Sequence, residues 1–495
     1  MDRRDRSWLI WTGLVLLVSN LPYLIAWAAT PANARFTGLV FNPVDGHSYL
    51  AKMRQGFEGS WRFRLPFTPE LSSGAPIFLF HLALGHIARY VRLPLVVVYH
   101  GSRILGGAIM LVGISGLASR LSTQRRERGT MFLLTALGSG LGWLLVIAGI
   151  RTADLWVPEA FPAYSLMANA HFPLAIGLMA GIAWCGLRIL AIKTETTAQG
   201  STIWPWGLAM ALAALLLGGI QPFGLVPVFG GLGVVILVRV VSSWRRVEGH
   251  MSWRAGLWIV AAGSVALPYP LYMQTAVRSD PVLASWNAQN ITTSPPPWDW
   301  VLSYGLVFLL AIWGCSLVVR RASNADLMVL GWAGVTCIGM YLPLQLQRRL
   351  SIGLGIPMGL LAGLGWWRGL RRRIRAPLRN LVRALVIAFS ALTPIFLIVT
   401  ATSAALGSRV SKADSWLYLS EGEWGALTWL RDHQAEAESK AVVLCAPQMG
   451  SFIPAWTGQR VVYGHPFETV DAEKRKEQVA SYWSGAMSAS EQTTF

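Results

Sequence analysis

Charge is scarce in this sequence of 495 residues: Asp, Glu, Lys and Arg together make up 13% of it. A chain so poor in charge cannot cover an ordinary water-facing surface. Its 54% apolar content and mean hydropathy of +0.46 point the same way. Acids are scarcer than bases, 24 against 42, which leaves a net charge of +18. Only four cysteines occur. Cys185, Cys315 and Cys337 lie inside apolar runs and Cys445 stands alone, which excludes a disulfide framework and any cysteine metal motif. There is no Walker-type glycine loop, no H-E-x-x-H helix and no G-x-S-x-G elbow, so those routes to nucleotide, zinc and serine chemistry are closed.

Long apolar runs are abundant, and each can cross a hydrocarbon core about 30 Å thick as a helix. Backbone groups in lipid must be satisfied within the chain, so repeated runs of this kind define a polytopic α-helical membrane bundle rather than a barrel. Eleven crossings are expected, at roughly 7–29, 93–118, 130–150, 168–192, 202–219, 222–242, 255–276, 299–319, 327–345, 350–367 and 381–403. The basic residues gather between spans in "RLSTQRRERG", "SSWRRVEGH", "VRRASNAD" and "RGLRRRIRAPLR". This is the positive-inside pattern, and it accounts for the net charge without nucleic acid as a partner. It puts the N-terminus in the cytoplasm and the C-terminal tail outside. The short external loops then carry only Arg151, Arg278, Arg348 and Arg349. The first apolar run continues past Trp27 without a cleavage site and reads as a retained span.

Residues 1–405 form the expected membrane domain, with a first external loop at 30–92 too long to be a connector. Within it "APIFLFHLALGHIARYVRLP" suits a helix lying in the interface. The second external loop, "RTADLWVPEAFPAYSLMANAHF", carries Asp154, Glu159 and His171. The third, "VRSDPVLASWNAQNITTSPPPWDW", is rich in proline and aromatics, as an ordered lid would be. From 406 to 495 the composition becomes that of a small α/β extension. Ser420 and Glu423 have capping-box spacing at the head of a helix, and "AVVLCAP" and "RVVYG" read as strands. A further strand is expected after "SEQTTF", so the chain reads as truncated there.

Charges on the external side are the informative ones, because each is costly near lipid unless paired or functional. Asp45, in "FNPVDGHSYLAKMRQG", is either a helix cap or a general base for an incoming nucleophile. His47, Tyr49, Lys52 and Arg54 share its neighbourhood. His100 and Arg103 lie one helical turn apart inside a span and must face protein or a wet cavity, in a structural or a functional role. In "LPLQLQRRLSIGLGIP", Gln345, Gln347, Arg348 and Arg349 stand at an external mouth. Two adjacent arginines there ask for an anion, and a planar fork of donors suits a phosphate. An ion pair with Asp154 or Glu159, or snorkelling to headgroups, would also account for them. His171, at the start of a span, could donate to the same anion or serve in packing.

Taken together, "NPVDGHSYLAKMRQG" after the first span, the interfacial helix, "NAHFPLA", the "QRR" mouth and the tail "WLRDHQ…AVVLCAPQMGSFIPAWTGQRVVYGHPFET" resemble the GT-C superfamily of integral-membrane glycosyltransferases, in an uncharacterised bacterial branch. The resemblance implies a bundle of about 11 transmembrane helices with a small α/β extracytoplasmic extension. It implies inverting transfer of a sugar from a polyprenyl-phosphate donor to a lipid, glycan or protein acceptor at the outer face of the cytoplasmic membrane. Asp45 would be the catalytic base. Arg348, Arg349, His171 and Arg103 would hold the donor phosphate, and His47, Tyr49, Lys52, His100, Glu159 and Gln347 would contact substrate. No metal ligands are assigned, and a divalent metal stays open as a cofactor. The partners would be the lipid-linked donor, an unidentified acceptor and membrane lipids. A transporter or flippase for lipid-linked sugars, or a non-catalytic membrane scaffold, remain as the other readings. The transporter reading would want inverted repeats with broken helices, and the sequence displays none.

Overall fold

The structure, a computed structural model, describes residues 7–192, 202–244, 253–407, 416–433 and 441–494. The basic segment 1–6 and most of the basic cluster 242–250 fall outside the described residues. Four helices open the chain: α1 (Ser7–Ala28), α2 (Pro43–Phe57), α3 (Leu79–Val91) and α4 (Leu95–Leu121). Among the described residues seven helices are long and apolar enough to cross a membrane, or up to nine if each of two bent pairs is one span.

Every one of the eleven expected spans is helical, but two are short. Trp204–Ile220 has 17 residues and Asn324–Gly339 has 16. At about 1.5 Å per residue they reach roughly 25 Å, less than a hydrocarbon core. Two more are broken. Pro297–Tyr304 meets Leu306–Arg321 at 99°, and Ala376–Ser390 meets Leu392–Gly407 at 48°. The sharper break falls at Gly305, whose φ of 48° and ψ of −117° a side chain would resist.

The chain forms two compact units. The first comprises Met1–Leu21, Ser102–Pro270 and Thr292–Thr400. Small residues let its helices approach closely: a Cβ on Gly331 would stand 3.1 Å from the Gly231 Cα, so Leu225–Trp244 and Asn324–Gly339 meet almost backbone to backbone. The second expected external loop folds into short helical turns around Asp154. This buried carboxylate accepts from the Thr152 hydroxyl at 2.6 Å, the Thr393 hydroxyl at 2.8 Å and the Gly140 and Gly142 amides at 3.2 Å. Burial pushes its pKa up, and these four donors only partly offset that. Asp299 ties the same loop down, accepting from the Ala153 amide and the Ser303 hydroxyl.

The second unit comprises Pro22–Gly101, Leu271–Ile291 and Ala401–Phe495. Its strand β1 (Ala34–Phe36) pairs antiparallel with β2 (Tyr418–Ser420), in register Ala34 to Ser420. Strand β3 (Val442–Val443) pairs parallel with β4 (Arg460–Val461), with helix Met449–Thr457 between them. The capping box expected at Ser420 and Glu423 is formed, and it starts helix Glu421–Asp432. Helix α3 falls inside the stretch expected to be an interfacial helix. It meets α2 where Gly56 and Gly85 leave no room for a Cβ, which would run into the Leu82 and Met53 carbonyls. The core below them holds Phe63, Leu65, Ile77, Leu82 and Leu283. Asp280 caps helix Pro281–Gln289 and binds both Ser72 and Ser73, and its pKa falls to about 2. Burial alone would raise it; the amide and hydroxyl donors reverse the sign.

Candidate functional site

The sequence-selected residues divide between the two units. Asp45, His47, Tyr49, Lys52 and His100 belong to the second; Arg103, Glu159, His171, Gln347, Arg348 and Arg349 belong to the first.

Helix α2 positions the first group. Pro43 stands at its first turn, Asp45 lies near its positive end and Arg54 in its last turn, all favourable for a helix. Asn42, at φ 48°, is the residue that caps it, and Asp45 is the third residue inside. Positions 45, 48 and 52 fall along one helical face. That face is met by a turn of the C-terminal extension. His465 and Glu468 belong to this turn, which the Thr469 hydroxyl closes by accepting from the Gly464 and His465 amides.

Glu468 accepts from the Ser48 hydroxyl and, at 2.6 Å, from Lys52 Nζ. Lys52 also donates to Ser48 at 2.6 Å and is 1% exposed. Its ammonium lies 4.8 Å from the centroid of Phe78 and 5.3 Å from those of Tyr49 and Phe63, an aromatic enclosure suited to a cation. Burial pushes the Glu468 carboxyl up, but Lys52, His465 and the two hydrogen bonds bring it below its ordinary value. Arg54 donates to the carbonyls of Ala455 and Trp456. Lys52 and Arg54 are therefore engaged in holding α2 to the extension.

Asp45 differs from both. Its side chain is 45% exposed, and one oxygen, Oδ1, lies 3.4 Å from His465 Nε2. His47 is fully buried, with Nδ1 2.7 Å from the Pro43 carbonyl and its ring edge-on to Phe452. Burial drops its pKa from 6.5 to about 4 despite that hydrogen bond, so the ring is neutral at physiological pH. Tyr49 stacks on His81 at 4.6 Å. His100 bonds the Gly38 carbonyl at 2.7 Å.

In the first unit, Arg348 lies 3.6 Å from Glu159, beyond hydrogen-bond length, and 4.9 Å from the Trp156 ring centroid. The Nε atoms of Arg348 and Arg349 are buried and find no hydrogen-bond acceptor among the described residues. Gln347 turns its amide to the carbonyls of Met340 and Leu342. The proline-rich stretch lies against this mouth: Thr292 exchanges backbone hydrogen bonds with Gln345 and Arg348, and Tyr341 donates to the Pro295 carbonyl. Leu346 and Leu350, which flank the arginines, line an apolar cavity of about 400 Å³ together with Phe223, Val226, Val335 and Ile338. Arg103 donates to the Leu166 carbonyl and, at 2.7 Å, to Asn20 Oδ1, and is 1% exposed. His171 is buried against Phe172. Among the described residues no three His, Cys, Asp or Glu side chains come together as a metal-ligand set.

Two participants escaped sequence reasoning: His465 and Glu468, in "GHPFET". Their one sequence signal is indirect. A lysine on a helix as apolar-flanked as α2 needs a buried counter-charge, but Glu468 is one of eleven acids in residues 406–495, so the sequence does not single it out.

The fold is the GT-C-like one: a polytopic α-helical bundle with a small α/β extension, and the chain is a multi-pass membrane protein. No protein-family model and no curated protein matches the sequence. Among solved structures, the chain is similar to the Archaeoglobus fulgidus oligosaccharyltransferase in the apo form, with a TM-score of 0.53 and 14% identity over 97% of this chain and 69% of that one. It is similar also to the oligosaccharyltransferase AglB from Archaeoglobus fulgidus in complex with an inhibitory peptide and a dolichol-phosphate, at a TM-score of 0.51 and 15% identity over 95% of this chain and 68% of that one. At such identities the likeness establishes the fold.

Proposed function

We propose that this protein is an inverting glycosyltransferase that uses a polyprenyl-phosphate sugar at the outer face of the cytoplasmic membrane. Asp45 takes the proton of an acceptor hydroxyl, whose oxygen attacks the anomeric carbon. The bond from that carbon to the phosphate oxygen breaks, and the lipid phosphate leaves with the electron pair. Arg348 and Arg349 stabilise the charge it gains. The apolar cavity beside Leu346 and Leu350 takes part of the prenyl chain. Residues 1–405 carry this chemistry, and 406–495 complete the base side of it.

The observation that carries the reading is Asp45 itself. On a helix face whose other charge, Lys52, is sealed in a buried pair, its side chain is 45% exposed, with Oδ1 3.4 Å from His465 Nε2. The two buried arginine Nε donors and the dolichol-phosphate complex of the structurally similar AglB favour a lipid phosphate as the leaving group.

Transport of the lipid-linked sugar is the second reading, favoured by the two broken helices at Gly305 and Ala391. Proteoliposomes holding the chain and a panel of labelled undecaprenyl-phosphate hexoses, with lipid-extract acceptors, separate the two. The enzyme yields a new glycosidic product and free lipid phosphate. Movement of the labelled lipid across the bilayer without such a product would establish transport.

A further inference from the structure

Within the first unit, α4 and helix His171–Ile189 run parallel and in step. A Cβ on Gly106 would stand 2.8 Å from the Leu174 amide nitrogen, and one on Gly113 2.7 Å from the Ala180 Cβ. One on Gly116 would stand 3.4 Å from the Trp184 ring. These small residues set the register, and a turn further on it brings Arg120 beside Arg188 in the last turns of the two helices. Both guanidinium groups lie over the Trp184 indole, at 6.0 and 5.1 Å from a ring centroid. Arg188 also lies 5.2 Å from that of Trp206, in the first turn of Trp204–Ile220.

The two positive charges repel each other. Among the described residues, the carboxylates of this end pair elsewhere: Glu127 with Arg368 at 3.1 Å and Asp326 with Arg321 at 3.5 Å. Nη2 of Arg120 and Nε of Arg188 are buried and have no hydrogen-bond acceptor among the described residues. Helix-end carbonyls and indole faces attract the charge of a guanidinium. They leave these two N–H donors unmet.

We propose that Arg120 and Arg188 hold the phosphate of an anionic phospholipid. Planar donor forks suit the oxygens of a phosphate, and a net negative headgroup offsets two cations that have no carboxylate of their own. The position of the pair favours a lipid over a soluble anion. It stands at the ends of two apolar helices long enough to span the membrane, with Trp184 and Trp206 as interfacial aromatics. From Trp204 an exposed apolar stripe through Leu208 and Leu212 runs along the neighbouring helix, where an acyl chain would lie. Basic pockets between transmembrane helices recognise anionic headgroups in this way. The site does not depend on the reading of Asp45, Arg348 or Arg349.

Native mass spectrometry of the full chain in detergent, with phosphatidylglycerol or phosphatidylcholine added, tests the site. The wild type should retain phosphatidylglycerol in preference to phosphatidylcholine, and equal retention of the two would overturn the proposal without any variant. Arg120→Gln with Arg188→Gln should lower phosphatidylglycerol retention by about tenfold or more, since charge-assisted hydrogen bonds are lost. Arg372→Gln with Arg375→Gln removes the same charge from exposed positions and should leave retention unchanged. If the two double variants lose the lipid equally, general attraction to a basic surface explains the binding and the site is refuted. Arg120→Lys with Arg188→Lys, which keeps the charge and loses the planar forks, should fall between the wild type and the glutamine pair. Inorganic phosphate supplies the last arm. It should neither displace phosphatidylglycerol nor raise the melting temperature of the wild type as that lipid does. Displacement by phosphate at millimolar concentration would overturn the lipid as its source.

Discussion

Three residues test the electrostatics directly. His47 is neutral when folded and has a pKa of about 4, against 6.5 in an unfolded chain. Between those values the unfolded state binds the extra proton, so stability rises with pH across the window and is lost as pH falls from about 6.5 toward about 4. The shift corresponds to roughly 3 kcal/mol. Thermal melts in detergent should show a fall between pH 7 and pH 5, and His47→Gln should remove a large part of it. An unchanged slope would remove His47 as the cause. Arg348 and Arg349 make a second case. Loss of a charge-assisted hydrogen bond costs about 1.5–3 kcal/mol. Arg349→Ala should therefore weaken binding of a polyprenyl-phosphate sugar by roughly tenfold or more, with acceptor affinity unchanged. Arg349→Lys should recover only part, because the planar fork is lost. At this scale the sequence displayed the accessible groups better than the buried ones. Asp45 and the two arginines stood out because charge is rare near lipid. Lys52 read as a substrate contact because its partner, Glu468, is 416 residues away and no periodicity links them.

At the scale of elements, α2 and the turn from His465 to Thr469 act as one piece. Removing one partner of the Lys52–Glu468 pair leaves a buried unpaired charge, which costs about 3–5 kcal/mol. Glu468→Gln should lower the melting temperature sharply. A Lys52→Met, Glu468→Leu double replacement should recover most of the loss, since a buried pair exchanged for apolar groups is near neutral. If the double variant is no better than the single one, Lys52 has a role beyond its pair. The local elements were the most legible part of the sequence. Ser420 and Glu423 announced a helix start, and "AVVLCAP" and "RVVYG" announced the paired strands, because caps and β-branched runs act over a few residues. The break at Gly305 was not visible. Its flanks "PPPWDWVLSY" and "LVFLLAIWG" are apolar on both sides, and composition carries no record of a 99° turn.

At the scale of the molecule, the apolar runs located the helices, whereas their number as full spans depended on length and straightness that hydropathy averages away. The orientation drawn from the arginine clusters has its own check. In a cysteine-free background, a membrane-impermeant maleimide should label Ser484→Cys from outside intact cells and leave Thr123→Cys unlabelled. The reverse pattern would invert the proposed topology and place Asp45 on the cytoplasmic side. The similarity to the archaeal oligosaccharyltransferase spans 97% of this chain at 14% identity, so the scaffold is shared while the chemistry must be established on these side chains. The most direct measurement is sugar transfer by Asp45→Asn, in membranes supplied with labelled polyprenyl-phosphate hexoses. The account predicts a fall of about 10²–10⁴-fold in rate with lipid-donor binding intact. Transfer at the wild-type rate would contradict it.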